Sequence, residues 1–183
     1  LFSPDQAGYA NGLLSMNGVP FNPTSLSGIA GGTVSAPSIS FVSDTNTGLY
    51  SPATDKIGFT VGGVKVGVLS ADTNLTFGYQ SAAGTFTGTS NTALGWRTLQ
   101  AVTSGSSNTA VGTGAMRSLL TGSLNVAVGD LALDVNTASI NTAIGSSAGV
   151  ANTTGSGNFY GGYRAGWKNT TGLDNVIIGP GTG

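Results

Sequence analysis

The sequence predicts an all-β chain: a trimeric β-roll or β-solenoid of about 17-residue repeats, preceded by a small β-hairpin module. Three observations carry this reading. The pattern Asn-x-x-x-Gly begins at Asn74, Asn91, Asn108, Asn125, Asn141, Asn158 and Asn175, with spacings of 17, 17, 17, 16, 17 and 17 residues. Its glycines, Gly78, Gly95, Gly112, Gly129, Gly145, Gly162 and Gly179, recur without exception. Between Asn and Gly stand Thr-Ala-Leu, Thr-Ala-Val, Val-Ala-Val and Thr-Ala-Ile in four repeats, short β-branched segments that suit strands.

Composition narrows the function. The chain has 183 residues, of which 31 are glycine and 39% are hydrophobic, too apolar a mixture for a solvated linker. Six Lys and Arg against seven acids, all of them Asp, give a net charge of -1, which argues against nucleic-acid binding through a basic surface. Histidine and cysteine are absent. The usual metal ligands, cysteine nucleophiles, Ser-His-Asp triads and disulfides are thereby excluded, and no cofactor or metal is expected. No apolar run reaches the roughly 18 residues of a membrane span, so no membrane insertion is expected. Leu1 heads neither a basic leader nor an initiator methionine, and the chain reads as an internal or processed segment.

Taken in order, residues 1–35 hold two Asn-Gly pairs, Asn11-Gly12 and Asn17-Gly18, with little periodicity, and read as an irregular connector or shaft end. Residues 36–71 read as a small β module. Ile39 to Val42 is a strand and Asp44 to Gly48 a turn; Ile57, Phe59 and Val61 alternate before Gly62-Gly63, and Val64, Val66 and Val68 after it, the signature of a two-residue hairpin. Residues 72–183 form the repeat domain, each repeat expected as strand, turn, strand, turn. The apolar residue before each glycine, Phe77, Leu94, Val111, Val128, Ile144 and Ile178, is expected in one stacked core, with Gly161 breaking the column. A second strand is expected around Ser81, Thr98, Ala115, Ala132, Ala148, Ala165 and Thr182. So thin a coil is expected to need identical copies, with Ala93, Ala110, Ala127 and Ala143 permitting close approach across a symmetry axis.

Two stretches carry a resemblance. Ala36-Pro37-Ser38-Ile39-Ser40-Phe41, continuing through Asp44-Thr45-Asn46-Thr47-Gly48-Leu49-Tyr50-Ser51-Pro52, resembles a module of bacteriophage tail fibres. Asn91-Thr92-Ala93-Leu94-Gly95-Trp96-Arg97-Thr98-Leu99 and Asn108-Thr109-Ala110-Val111-Gly112 resemble phage-fibre repeats that often precede a self-cleaving endosialidase-type chaperone domain. They are also similar to head repeats of trimeric autotransporter adhesins, which have a shorter period. The resemblance implies a non-catalytic virion fibre segment, extracellular and homotrimeric, that joins other tail or baseplate proteins and attaches to a host glycan or protein receptor. A bacterial trimeric surface adhesin and a glycan-depolymerising tailspike are the alternatives.

Candidate site residues are few. Asp130 and Asp134 are the closest carboxylate pair, and a solvated turn accounts for both. Tyr79, Trp96 and Tyr163 follow repeat glycines and precede Gln80, Arg97 and Arg164; packing between coils is their simplest role, and stacking on sugar the alternative. Arg164, Trp167 and Lys168 depart from the repeat and read either as a cation and aromatic patch or as a tryptophan that covers the gap left by Gly161; Trp96 and Arg97 are further candidate binding residues. The Asn and Gly columns are read as architecture.

Overall fold

The computed structural model describes residues 15–16, 19–20, 31–41, 43–83 and 86–183. Contacts divide the chain into two units, 1–30 and 31–183. In the first, β1 (Ser15–Met16) and β2 (Val19–Pro20) pair antiparallel on either side of the Asn17-Gly18 position, where only an irregular connector was expected. Asn11-Gly12 and the rest of that stretch up to residue 30 lie outside the described residues.

The second unit is built on one eleven-stranded sheet. Its antiparallel part comprises β3 (Ile39–Phe41), β4 (Asp44–Tyr50), β5 (Lys56–Val61) and β6 (Val64–Ser70). Gly62 and Gly63, at φ 58° and 74°, make the tight connection between β5 and β6 that the Gly-Gly pair implies. Asp44 to Gly48 is strand rather than turn. β6 then pairs with β7 (Leu75–Phe77), so the hairpin module and the repeats share a sheet without a break.

From β7 onward every pairing is parallel: β8 (Thr92–Leu94), β9 (Thr109–Val111), β10 (Val126–Val128), β11 (Thr142–Ile144), β12 (Phe159–Gly161) and β13 (Val176–Ile178). One strand per repeat, stacked in register, is a β-solenoid, with no helix among the described residues. At about 4.8 Å per strand, its six coils rise roughly 29 Å.

Asparagine fixes the stacking. Asn108 donates its amide N–H and Nδ2 to Asn91 Oδ1 at 2.9 and 3.0 Å, donates Nδ2 to the Gly122 carbonyl at 2.9 Å, and accepts from Asn125 through Oδ1. The same rung repeats from Asn74 to Asn175, except that Asn141 reaches Asn125 Oδ1 through its amide N–H alone and Asn136 Nδ2 donates to that oxygen. The shortened repeat drops one residue from the turn after Asn136, and Asn125 finds the Ala138 carbonyl in place of a glycine.

Strand alternation then decides the core, and it corrects the expectation. Asn91 and Ala93 point inward, so Thr92 and Leu94 point outward. Ala93, Ala110, Ala127 and Ala143 are fully buried inside their own coils and cannot meet another chain. Phe77, Leu94, Val128, Ile144 and Ile178 are exposed, and Val111 half-buried: the expected core column is the outer face. The larger core residues are Leu99, Met116, Leu133, Val102 and Leu119.

The expected second strand is a turn. Leu99, Met116 and Leu133 sit at φ 46°, 48° and 50°, curling the chain back, while coil-to-coil hydrogen bonds persist, as in Met116 N–H to the Ala132 carbonyl at 2.9 Å. Glycine is required where coils touch: a Cβ on Gly112, at φ 127°, would stand 2.6 Å from the Gly129 carbonyl oxygen.

Two neighbouring coils exchange core volumes. Tyr160 takes the alanine place, fully buried, and glycine (Gly149, Gly166) takes the place of Leu133. A Cβ on Gly149 would lie 2.6 Å from the Tyr160 ring, and one on Gly166 closer still. Asn169 Nδ2 donates to the phenol oxygen at 2.8 Å, yet burial dominates and the Tyr160 pKa is pushed up to about 12. Gly149→Leu should therefore destabilise by about 1–3 kcal/mol through overpacking, and Tyr160→Ala by about 3–5 kcal/mol through a cavity. Urea unfolding of the double variant should show a favourable coupling of at least about 1 kcal/mol, and simple additivity would contradict this packing.

Candidate binding face

After each repeat glycine the chain enters the turn that backs the coil. Its second residue (Gln80, Arg97, Gly114, Leu131, Ser147, Arg164, Gly181) has φ between 54° and 63° in every coil. From Arg97 onward each donates its amide N–H to the preceding coil, as Arg97 does to the Tyr79 carbonyl at 3.0 Å and Arg164 to the Ser146 carbonyl at 2.9 Å. A left-handed backbone costs a side-chain-bearing residue about 1 kcal/mol or more, so the register of this turn is imposed by the stack.

This turn face gathers all three arginines and both tryptophans. In one station the Arg97 guanidinium lies 4.8 Å from the centre of the Trp96 ring, with Nε donating to Gln80 Oε1 at 3.0 Å. Gln100 Nε2 donates to the same oxygen at 3.2 Å. Trp96 stays 45% exposed and Tyr79 47%. In the other station, Arg164 and Lys168 lie 4.3 and 4.7 Å from the centre of the Trp167 ring, beside Tyr163 at 58% exposure. Neither cation has an ion pair among the described residues. The patch read from sequence as Arg164, Trp167 and Lys168 is thus brought together, and Trp96 with Arg97 stands four coils away, about 19 Å.

Between the stations lies a pair that sequence reasoning missed. Arg117 Nη2 donates to Asp134 Oδ2 at 2.8 Å across one coil. Their separation of 17 residues is one period, and that was the available signal. Asp134 is buried, its Oδ1 without a hydrogen-bond partner, while Asp130 is exposed. The two carboxylates therefore do not line a common open groove. Among the described residues no group of three or more His, Cys, Asp or Glu gathers around a metal position.

No protein-family model matches this chain, and neither a curated protein nor a solved structure matches it.

Burial raises the Asp134 pKa above the ordinary carboxylate value; Arg117 opposes the shift and Asp130 adds to it. An acid with a raised native pKa binds its proton more readily folded than unfolded, so stability is gained as pH falls through that pKa towards about 4. Relative to Asp134→Asn, the wild-type melting temperature should rise between pH 7 and pH 4, as followed by circular dichroism. A constant gap, or one moving the other way, would contradict the assignment.

Proposed function

We propose that this chain is a shaft segment of a bacteriophage tail fibre, homotrimeric and extracellular on the virion, that takes part in host-cell attachment by binding without turnover. The observation that carries the reading is the outer face of the parallel sheet. Seven strands in register present two outward columns: Leu75, Thr92, Thr109, Val126, Thr142, Phe159 and Val176, and beside them the exposed column from Phe77 to Ile178. An apolar stripe of this kind, interrupted at Gly161 and flanked by Thr92, Thr109 and Thr142, marks an interaction surface, and copies of the same chain are its natural occupants in a stiff, thin fibre. The phage-like segment at 36–52, which leads directly into this sheet, favours a fibre over a bacterial adhesin.

The turn face supplies the binding function. Arg164 and Lys168 around Trp167, with Arg97 and Trp96 further along, offer stacking and positive charge to a host glycan or protein receptor. A trimer carries three such faces, and linked weak contacts gain from effective concentration. Other tail or baseplate proteins would continue the fibre. The burial of Asp134 against Arg117 weighs against the depolymerising tailspike.

Native mass spectrometry should give a trimer for the wild type and dissociation for Val128→Asp combined with Ile144→Asp. A stable wild-type monomer at micromolar concentration would overturn the trimer. Replacing Arg164, Trp167 and Lys168 together by Ser should leave the melting temperature within a few degrees and reduce adsorption to host cells at least about fivefold, because surface substitutions rarely cost much stability. Unchanged adsorption would move the receptor site elsewhere.

A further inference from the structure

In the middle of the solenoid each coil is covered by its neighbours, and the first turn is built differently. There the sheet changes from antiparallel to parallel, and the coil carries small residues where later coils carry large ones: Ala82 stands in the column of Leu99, Met116 and Leu133. A cavity of about 250 Å³ results, bounded by the β5 and β6 strand ends and the first coil. That is just below the roughly 300–1,000 Å³ of sites for drug-sized ligands, and suits one small ring.

Its walls carry an uncompensated charge. Lys56 Nζ lies 2.9 Å from Asp72 Oδ2, and these two neutralise each other. Lys65 also lines the cavity, half-buried, with no hydrogen bond or ion pair among the described residues. Burial, and then repulsion from Lys56, hold its ammonium pKa below the ordinary lysine value. Two lysines and one aspartate leave the walls one positive charge in excess, which matches a monoanion. An isolated, partly desolvated cation is costly without an anionic partner.

The asparagine ladder supplies the second feature. Every rung from Asn91 onward gives its amide N–H to the Oδ1 of the rung before, and all but Asn141 give their Nδ2 to it as well. Asn74, which lines the cavity, is the first rung and has no predecessor. Its Nδ2 donates to the Gly88 carbonyl at 2.8 Å, while its amide N–H and its other Nδ2 hydrogen have no acceptor among the described residues. These two donors suit a planar, sp² oxygen such as that of a carboxylate, the kind of acceptor that Asn74 Oδ1 itself offers to Asn91. The Ser70 and Thr76 hydroxyls likewise have no partner among the described residues, and Ala53 and Val68 give an apolar wall. Alternating hydroxyls and C–H faces are the surface of a sugar ring.

We propose that this junction cavity binds the carboxylate of an acidic monosaccharide, one oxygen completing the Asn74 rung and the other facing Lys65, with the ring against Ser70, Thr76 and Val68. The site is separate from the Trp167 face and does not depend on the fibre reading.

The chain has three lysines, Lys56, Lys65 and Lys168, so reductive ¹³C-methylation gives each a resolvable NMR signal. Titrating the wild-type chain with sodium glucuronate should shift the Lys65 signal saturably, with a dissociation constant in the millimolar range, and leave Lys168 in place. Glucose should cause no shift, and acetate should bind at least about tenfold more weakly than glucuronate, since it lacks the ring contacts. Lys65→Met should abolish the response measured at Lys56, while Ser at 164, 167 and 168 should leave the Lys65 response unchanged. A Lys65 signal unmoved by glucuronate to about 50 mM, well past the millimolar range expected for one sugar, would overturn the proposal. Tighter binding of inorganic phosphate would overturn the carboxylate assignment, and equal binding of acetate the sugar.

Discussion

The structure depends on one interaction, the asparagine ladder. An inner rung such as Asn108 uses both amide donors and its carbonyl acceptor in bonds to its neighbours, fully buried inside the coil. A buried amide with unmet hydrogen bonds costs about 1–3 kcal/mol, so each side chain tolerates one position relative to the next. That sets the rise and the register. Once the rungs align, alanines stack behind them, glycine carbonyls meet glycine Cα atoms, and the left-handed turn repeats.

The period made much of this legible. Two fixed columns, each recurring about every 17 residues, told that the chain stacks, and Gly62-Gly63 between alternating runs told of the β5–β6 hairpin. The faces were misassigned because size was weighed over alternation. Leu94 is larger than Ala93 and was placed inside, yet Asn91 and Ala93 share parity, and a rung that must be buried carries the alanine in with it. The second segment hid its nature for another reason: Leu99, Met116 and Leu133 are poor candidates for positive φ, and only the stack holds them there. A second column, Asn136 and Asn152, both buried, and the half-buried Asn169, follows Val102 and Leu119 at the same place in the coil, and its change from apolar to polar obscured it. Tyr160 interrupts the alanine column in the same way, and its match with Gly149 and Gly166 lies across coils.

The candidate site was partly readable. Arg164, Trp167 and Lys168 stood out as departures from the repeat and converge around one ring. The Arg117–Asp134 pair and the link from Arg97 to Gln80 could have been found by subtracting residue numbers, since both span one period. What no subtraction reveals is the cavity beside Lys65, which arises where two kinds of strand pairing meet. The coil thus divides its tasks by direction. Its interior is committed to stacking, its sheet face to an apolar surface, and its turn face to charge and aromatic rings.

The ladder is tested most directly by replacing one buried amide with a carboxylate. Asn108→Asp keeps the shape and the acceptor but sets oxygen against Asn91 Oδ1 and the Gly122 carbonyl in a fully buried place. Asn175→Asp makes the same change at the half-buried last rung. If the ladder governs the fold, Asn108→Asp should cost at least about 3 kcal/mol and lower the melting temperature by at least about 6 °C more than Asn175→Asp. Equal, small shifts for the two variants would contradict it.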